Sequence, residues 1–183
     1  MKSAKKGKVE RLWAKSVDQT NDNRFFHMAK LALHLFEVSQ IDAAVAVGLE
    51  ALEHSEILAP ELVLMLTHEV GSWLNKDDRF DEAQETLAKS LELCSGESRS
   101  YWWAACMWEK GKSWEGLEHS DAALDYLAAA EVFSSLNEDD LAMATYQAAA
   151  DSHLVRKDFQ KTTQVLSVLL EFQREHHFFQ QMV

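Results

Sequence analysis

RFDEAQETL, Arg79 to Leu87, is the fullest copy of a pattern that returns along the chain. Ile41-Asp42-Ala43-Ala44, Phe80-Asp81-Glu82-Ala83 and Ser120-Asp121-Ala122-Ala123 share Asp-x-Ala after their first residue. Phe159-Gln160-Lys161-Thr162 is a degraded fourth copy. With Ala44, Ala83, Ala123 and Thr162 taken as equivalent, the spacings are 39, 40 and 39. A small residue lies twelve positions upstream of each: Ala32, Gly71, Gly111 and Ala150. Three positions after it come Leu35, Leu74, Trp114 and His153. Downstream, Gly48, Leu87, Leu127 and Leu166 follow at four residues, and Ala51, Ser90, Ala130 and Leu169 at seven.

Small residues at helical spacing let two helices approach closely, and a larger apolar residue one turn away fills the remaining space. The Asp of Asp-x-Ala is expected at the start of a second helix, where it caps free N–H groups and meets the positive dipole end. Each copy therefore reads as a helix hairpin, and a fixed period of this length as a stack of hairpins.

Val70, Gly71, Leu74, Phe80, Ala83, Leu87 and Ser90 carry a resemblance to the tetratricopeptide repeat (TPR) family. Four copies would span roughly residues 24–182. The resemblance implies an all-α chain, an α-solenoid of antiparallel helix pairs with N- and C-terminal capping helices. Lys110, Ser120, His153 and Thr162 stand where the family pattern wants apolar, aromatic or small residues. The period exceeds the family's 34, and the excess is expected after the second helix of each pair, as longer second helices or loops.

One proline and six glycines in 183 residues agree with a mostly helical chain. The periodicity predicts helices at about 8–17, 23–38, 41–55, 60–75, 80–94, 98–112, 118–135, 138–156 and 159–178. Pro60 suits a first helical position, Gly96 a break after a helix, and Asn137 an N-cap followed by acids. The expected organisation is a basic N-terminal arm with a short helix, 1–22, and a single repeat domain, 23–183.

Net charge is −12 but uneven: residues 1–30 carry +5 and the remainder −17. An acidic body disfavours nucleic acid and anionic membrane as partners, and the basic start reads as a solvated tail. No secretory h-region follows the N-terminal lysines, no apolar run reaches a membrane span's length, and a cytoplasmic location is expected. Cys94 and Cys106, twelve apart, suit buried reduced thiols.

Catalytic and metal signatures fail on inspection. His68-Glu69 begins like a zincin helix, but Ser72 stands at the second histidine position. The adjacent pair His176-His177 points its rings about 100° apart. No P-loop, GxGxxG or GxSxG occurs. The expectation is a non-enzyme with no cofactor and no metal.

The resemblance implies instead a concave face lined by the first helix of each pair, with partner-contacting positions at His68, Ser72 and Asn75 in copy two. In copy three they are Trp108, Lys112 and Glu115, and in copy four Gln147, Asp151 and Leu154. The predicted partner-binding set is His68, Asn75, Trp108, Lys112, Gln147 and Asp151, holding a protein or peptide segment; the mixed signs do not suit a simple acidic tail. The alternative is a peptide- or ligand-responsive sensor that changes oligomeric state or partner. Copy one presents Phe26, Ala29, Leu33 and Phe36 at the corresponding face, expected to lie under Leu12 and Trp13 of the first helix. Trp103, Met107 and Trp114 read as core, and the end around Phe178 and Phe179 as a stack cap or a homodimer contact.

Overall fold

The computed structural model describes residues 2–16, 18, 23–94 and 100–180, with side chains described for all but 2–6, 10 and 176–180. The expected arm at 1–22 thus falls partly, and Gly96 and the side chains of His176, His177, Phe178 and Phe179 wholly, outside the described residues. All regular structure among them is helical: α1 (Lys2–Ser16), α2 (Arg24–Glu37), α3 (Ile41–Leu52), a 3₁₀ turn (Ser55–Ile57), α4 (Pro60–Lys76), α5 (Phe80–Leu93), α6 (Tyr101–Gly116), α7 (Ala122–Ser135), α8 (Asp139–Val155) and α9 (Phe159–Gln180). Contacts divide the chain into two compact units, Met1–Glu97 and Ser98–Val183. Within each, every helix packs on the next in sequence, as an antiparallel hairpin stack requires.

In unit 1, Ala32, Ala44 and Ala83 are fully buried. A Cβ added at Gly71 would lie 2.8 Å from Leu87, and one at Gly48 2.7 Å from Val70 of α4. The first is the predicted small-against-large contact; the second is not, since Gly48 stands where the next copy has Leu87, and it admits α4 of the following hairpin. The buried Thr67 hydroxyl donates to Ser90 Oγ at 2.7 Å, so these two buried hydroxyls satisfy one another across the α4–α5 hairpin. Outside, Arg79 forks onto Glu82 at 2.8 and 2.7 Å, and that hydrogen bond holds the Glu82 carboxyl below its usual value.

α1 packs on α2 through its apolar side, while Lys8, Arg11 and Lys15 remain exposed. Val9 and Leu12 lie against the cluster of Leu31, Leu35 and Ala44, as does Phe36. The expected cover is only partial: Trp13 remains 54% exposed, because Val9 and Leu12 occupy the inward positions of the helix and Trp13 falls beside them. Phe26 is also exposed, with the Lys30 ammonium 4.1 Å over its ring.

Unit 2 repeats the hairpin with different chemistry. A Cβ at Gly111 would sit 2.5 Å from the Tyr126 ring, so Tyr126, and not the predicted Leu127, takes the place of Leu87. The register thus slips by one, and the helix start differs too: the N-cap of α7 is Asp121, two positions beyond the equivalent of Arg79, the N-cap of α5. Ala122 and Ala123 are both buried, so the slip is tolerated. Lys110, in the place of apolar Val70, pairs with Asp125 at 2.7 Å, the two side chains only 18% and 10% exposed. Tyr126 donates to Glu115 at 2.7 Å. Trp103 and Met107 pack on the cluster of Ala104, Ala129, Val132 and Phe133, and Trp114 on that of Ala122, Tyr126 and Ala150, as expected of core aromatics.

One turn geometry recurs. Ser39, Asp78, Glu118 and Lys157, spaced 39, 40 and 39, all have positive φ. The next residue's N–H in each returns to a carbonyl one helical turn back: Gln40 to Leu35, Arg79 to Leu74, His119 to Trp114 and Asp158 to His153, at 2.7–3.0 Å. This is a Schellman closure, built here without glycine. Its carbonyls belong to the same Leu35, Leu74, Trp114 and His153 that the sequence spacing singled out. Asn137 makes a fifth such turn between α7 and α8, with Glu138 bonding to Phe133. Asn137 is therefore the left-handed residue closing α7, and Glu138 is the N-cap of α8.

Two further expectations change. Asp42 and Asp81 sit in the first turns of α3 and α5 and Asp121 at the N-cap of α7, where they meet the helix dipole, but none makes a side-chain cap bond. The bond appears in the degraded copy, where Asp158 Oδ1 accepts from the Lys161 N–H at 3.2 Å. The length beyond the 34-residue period lies partly in the 53–59 connection after α3, as expected, and partly in the 16- and 17-residue first helices α4, α6 and α8, while the second helices α3, α5 and α7 have only 12–14 residues. Pro60 occupies the first turn of α4 as predicted.

Candidate functional site

The six predicted partner residues fall on the first helices of three hairpins: His68 and Asn75 on α4 in unit 1, Trp108 and Lys112 on α6 and Gln147 and Asp151 on α8 in unit 2. His68 and Asn75 are half-buried, seven residues apart on one helix, and the His68 ring lies 3.7 Å from the Glu69 carboxylate. Beside them is a feature the sequence reading passed over. Phe36 and Trp73 stack with parallel rings at 6.1 Å, and Lys76 lies 4.3 Å over the Trp73 ring. Trp73 follows Ser72 and precedes Leu74 in the repeat pattern, so the signal lay in an aromatic at a position treated as filler.

In unit 2 the predicted residues form two pairs. Trp108 is half-buried, edge-on to Phe133 at 6.1 Å, with the Lys112 ammonium 5.0 Å over its ring. Lys112 also bonds the buried Glu109 carboxylate at 2.7 Å. That arrangement locks Trp108 and neutralises Lys112 together. Gln147 donates to Asp151 at 2.9 Å, one turn apart on the exposed side of α8. A lysine whose charge is already matched by a buried carboxylate is a poor clamp for an incoming carboxylate. Glu109 is legible in the sequence as the i−3 neighbour of Lys112.

A cavity of about 670 Å³ lies elsewhere, between the α6–α7 turn and the end of α8. Glu115, Glu118, His119, Ser152, Val155 and Arg156 line it, and none of the six predicted residues does. Its His119 stacks on Trp114 at 4.3 Å, and Arg156 donates to the Glu118 carbonyl. Its wall residues thus already bond within the chain. Among the described residues no three His, Cys, Asp or Glu side chains gather as a metal site would need. No helix among them is long and apolar enough to cross a membrane. Cys94 and Cys106 are both buried, and the two form no disulfide.

No known protein family and no curated protein matches the chain in sequence. Solved structures do match in fold. A Podosopora anserina protein described as a kinesin light chain with nearly identical TPR-like repeats superposes with TM-score 0.67 at 16% identity, over 92% of this chain and 86% of that one. MamA from Desulfovibrio magneticus RS-1 gives 0.58 at 14% identity, over 84% of this chain and 78% of that one. A MamA RS-1 double mutant gives 0.64 at 14%, over 91% and 82%. At such identities the likeness is one of fold, and the fold is that of TPR-like helical repeats.

Proposed function

We propose that this TPR-like helical repeat is a non-catalytic interaction module that holds a peptide or helix of a protein partner on the first-helix face of its hairpins. The coarser part follows from the fold, which is generally a protein-interaction scaffold. The finer part rests on one observation: the half-buried Trp108 is held between Phe133 and Lys112 before any partner arrives. An aromatic anchor that is already ordered gives up little side-chain entropy on binding, and such residues dominate interface energies. Gln147 and Asp151 supply hydrogen-bonding groups on the neighbouring first helix, and His68 and Asn75 do so in unit 1.

The charge arrangement also narrows the partner. With Lys112 neutralised by Glu109 and Asp151 exposed, this face of unit 2 favours a neutral or basic segment with an apolar anchor over an acidic tail. The test is affinity capture from native extract with wild type beside Trp108→Ala and Asp151→Lys, each first shown to keep its helical circular dichroism. A protein retained by wild type and lost by both variants supports the reading. Identical captures by all three would remove these residues from the interface.

A further inference from the structure

α9 has two apolar faces, and only one is used. Thr162, Val165, Leu169 and Phe172 are buried, with Val165 and Leu169 packed against Tyr146, Ala149 and Ala150. A second stripe, Phe159, Leu166 and Leu170, is 64%, 37% and 54% exposed, with exposed Thr163 between. Offsets of 7 and 4 put these residues on one side of a helix.

The repeat explains what this stripe is for. In unit 1 the equivalent residues of α3 are Ile41, Val45, Gly48 and Leu52. Val45, Gly48 and Leu52 are buried, and α4 closes over Gly48 with Leu66 and Val70, an aliphatic pair four residues apart. α9 carries the same coupling face, and it also carries a pair of the closing type, Leu166 and Leu170.

We infer that the Phe159–Leu166–Leu170 stripe is a self-association surface on which a second copy of this chain docks its own α9, antiparallel, about a two-fold axis near Leu166. Residues 162–170 hold no charged side chain in a chain of net charge −12, so two copies meet there without repulsion. The flanks differ in sign: Lys157, Asp158 and Lys161 sum to +1, and Glu171, Arg174 and Glu175 to −1. Antiparallel alignment sets the positive flank of one copy beside the negative flank of the other, and parallel alignment sets like beside like. A two-fold contact is the usual way for one patch to cover itself. The stripe is short, about 17 Å at 1.5 Å per residue, so the association is weak and must be sought at high concentration.

The experiment is sedimentation equilibrium of the full chain from about ten to several hundred micromolar, beside Leu166→Glu/Leu170→Glu. Wild type is expected to rise from 20.8 kDa toward twice that mass, and the variant to stay at the monomer mass with unchanged helical circular dichroism. A second arm tests the axis: Leu166→Cys under mild oxidation should give a covalent dimer, and Val168→Cys, on the opposite side of α9, should not. Wild type that stays monomeric throughout, a variant that still dimerises, or crosslinking through 168 in preference to 166 would each overturn the inference. None of these outcomes bears on Trp108, so the peptide-binding reading stands or falls separately.

Discussion

The α4–α5 and α6–α7 hairpins solve one packing problem with different materials. In the first, Gly71 receives Leu87, and two enclosed hydroxyls bond to each other. In the second, Gly111 receives a tyrosine tied to Glu115, and a lysine–aspartate pair crosses between the helices. A neutral hydroxyl pair is inexpensive to bury. An ion pair sets a large desolvation cost against a large attraction, and it adds little net stability while making the loss of either partner severe. Burial raises the Asp125 carboxyl above its usual value, and Lys110 opposes that rise. The second hairpin thus exchanges tolerance for specificity: its chemistry accepts one register, the one shifted by a residue.

Ala83→Arg should have the largest effect, because a long charged chain would enter a fully closed helix contact. A loss of roughly 4 kcal/mol or more is expected, a large share of a domain's stability. An unchanged thermal midpoint would refute the hairpin register. Next is Asp125→Ala, expected to cost about 3 kcal/mol in chemical denaturation by stranding Lys110. The double change Lys110→Met/Asp125→Leu should recover most of that loss, and a double no more stable than the single would mean that the pair itself stabilises the fold. Gly111→Ala and Gly71→Ala sharpen the contrast. The bonded Tyr126 ring cannot yield as the Leu87 side chain can, so Gly111→Ala should be the worse by about 1 kcal/mol within the usual overpacking range. Lys157→Gly should stabilise by about 0.5–1 kcal/mol, since glycine adopts the left-handed turn without strain.

The finest probe is pH. Burial, aided by the charge of Lys161, lowers the His153 pKa below its ordinary 6.5. The folded state therefore keeps the ring neutral while the unfolded chain takes up a proton. The stabilising contribution is complete above the unfolded value and is lost as pH falls through 6.5 toward the folded one. Unfolding midpoints measured between pH 7.5 and 5 should fall less in His153→Leu than in wild type.

Much of this contrast was written in the sequence, and some was not. The period was legible because the small residues Ala32, Gly71, Gly111 and Ala150 mark helix contacts that admit nothing larger. The turns were half legible: their carbonyl positions repeat, but Ser, Asp, Glu and Lys at the left-handed position give no common signal. The register of α7 was hidden because Ala122-Ala123 and Ala129-Ala130 offer two small residues wherever one is needed. Lys110 looked like a defect in the pattern until α7 brought Asp125 to it. Of the candidate partner residues, the sequence could place each on a first helix. It could not show that Lys112 is already engaged, or that Trp108 leans on Phe133 from the following helix.

The seven residues at 53–59, between α3 and α4, differ from every tight junction described above. The left-handed turns fix both the number of residues and the direction of the chain, so a residue added there would have to rebuild the closure. The 53–59 connection has no such closure and ends at an extended Ala59 before Pro60. Ser55 and Leu58 anchor it and His54 stacks on Phe25, so its exposed tip at Glu56 and Ile57 is where an insertion, such as a tag or a fluorescent reporter, should least disturb the helices on either side.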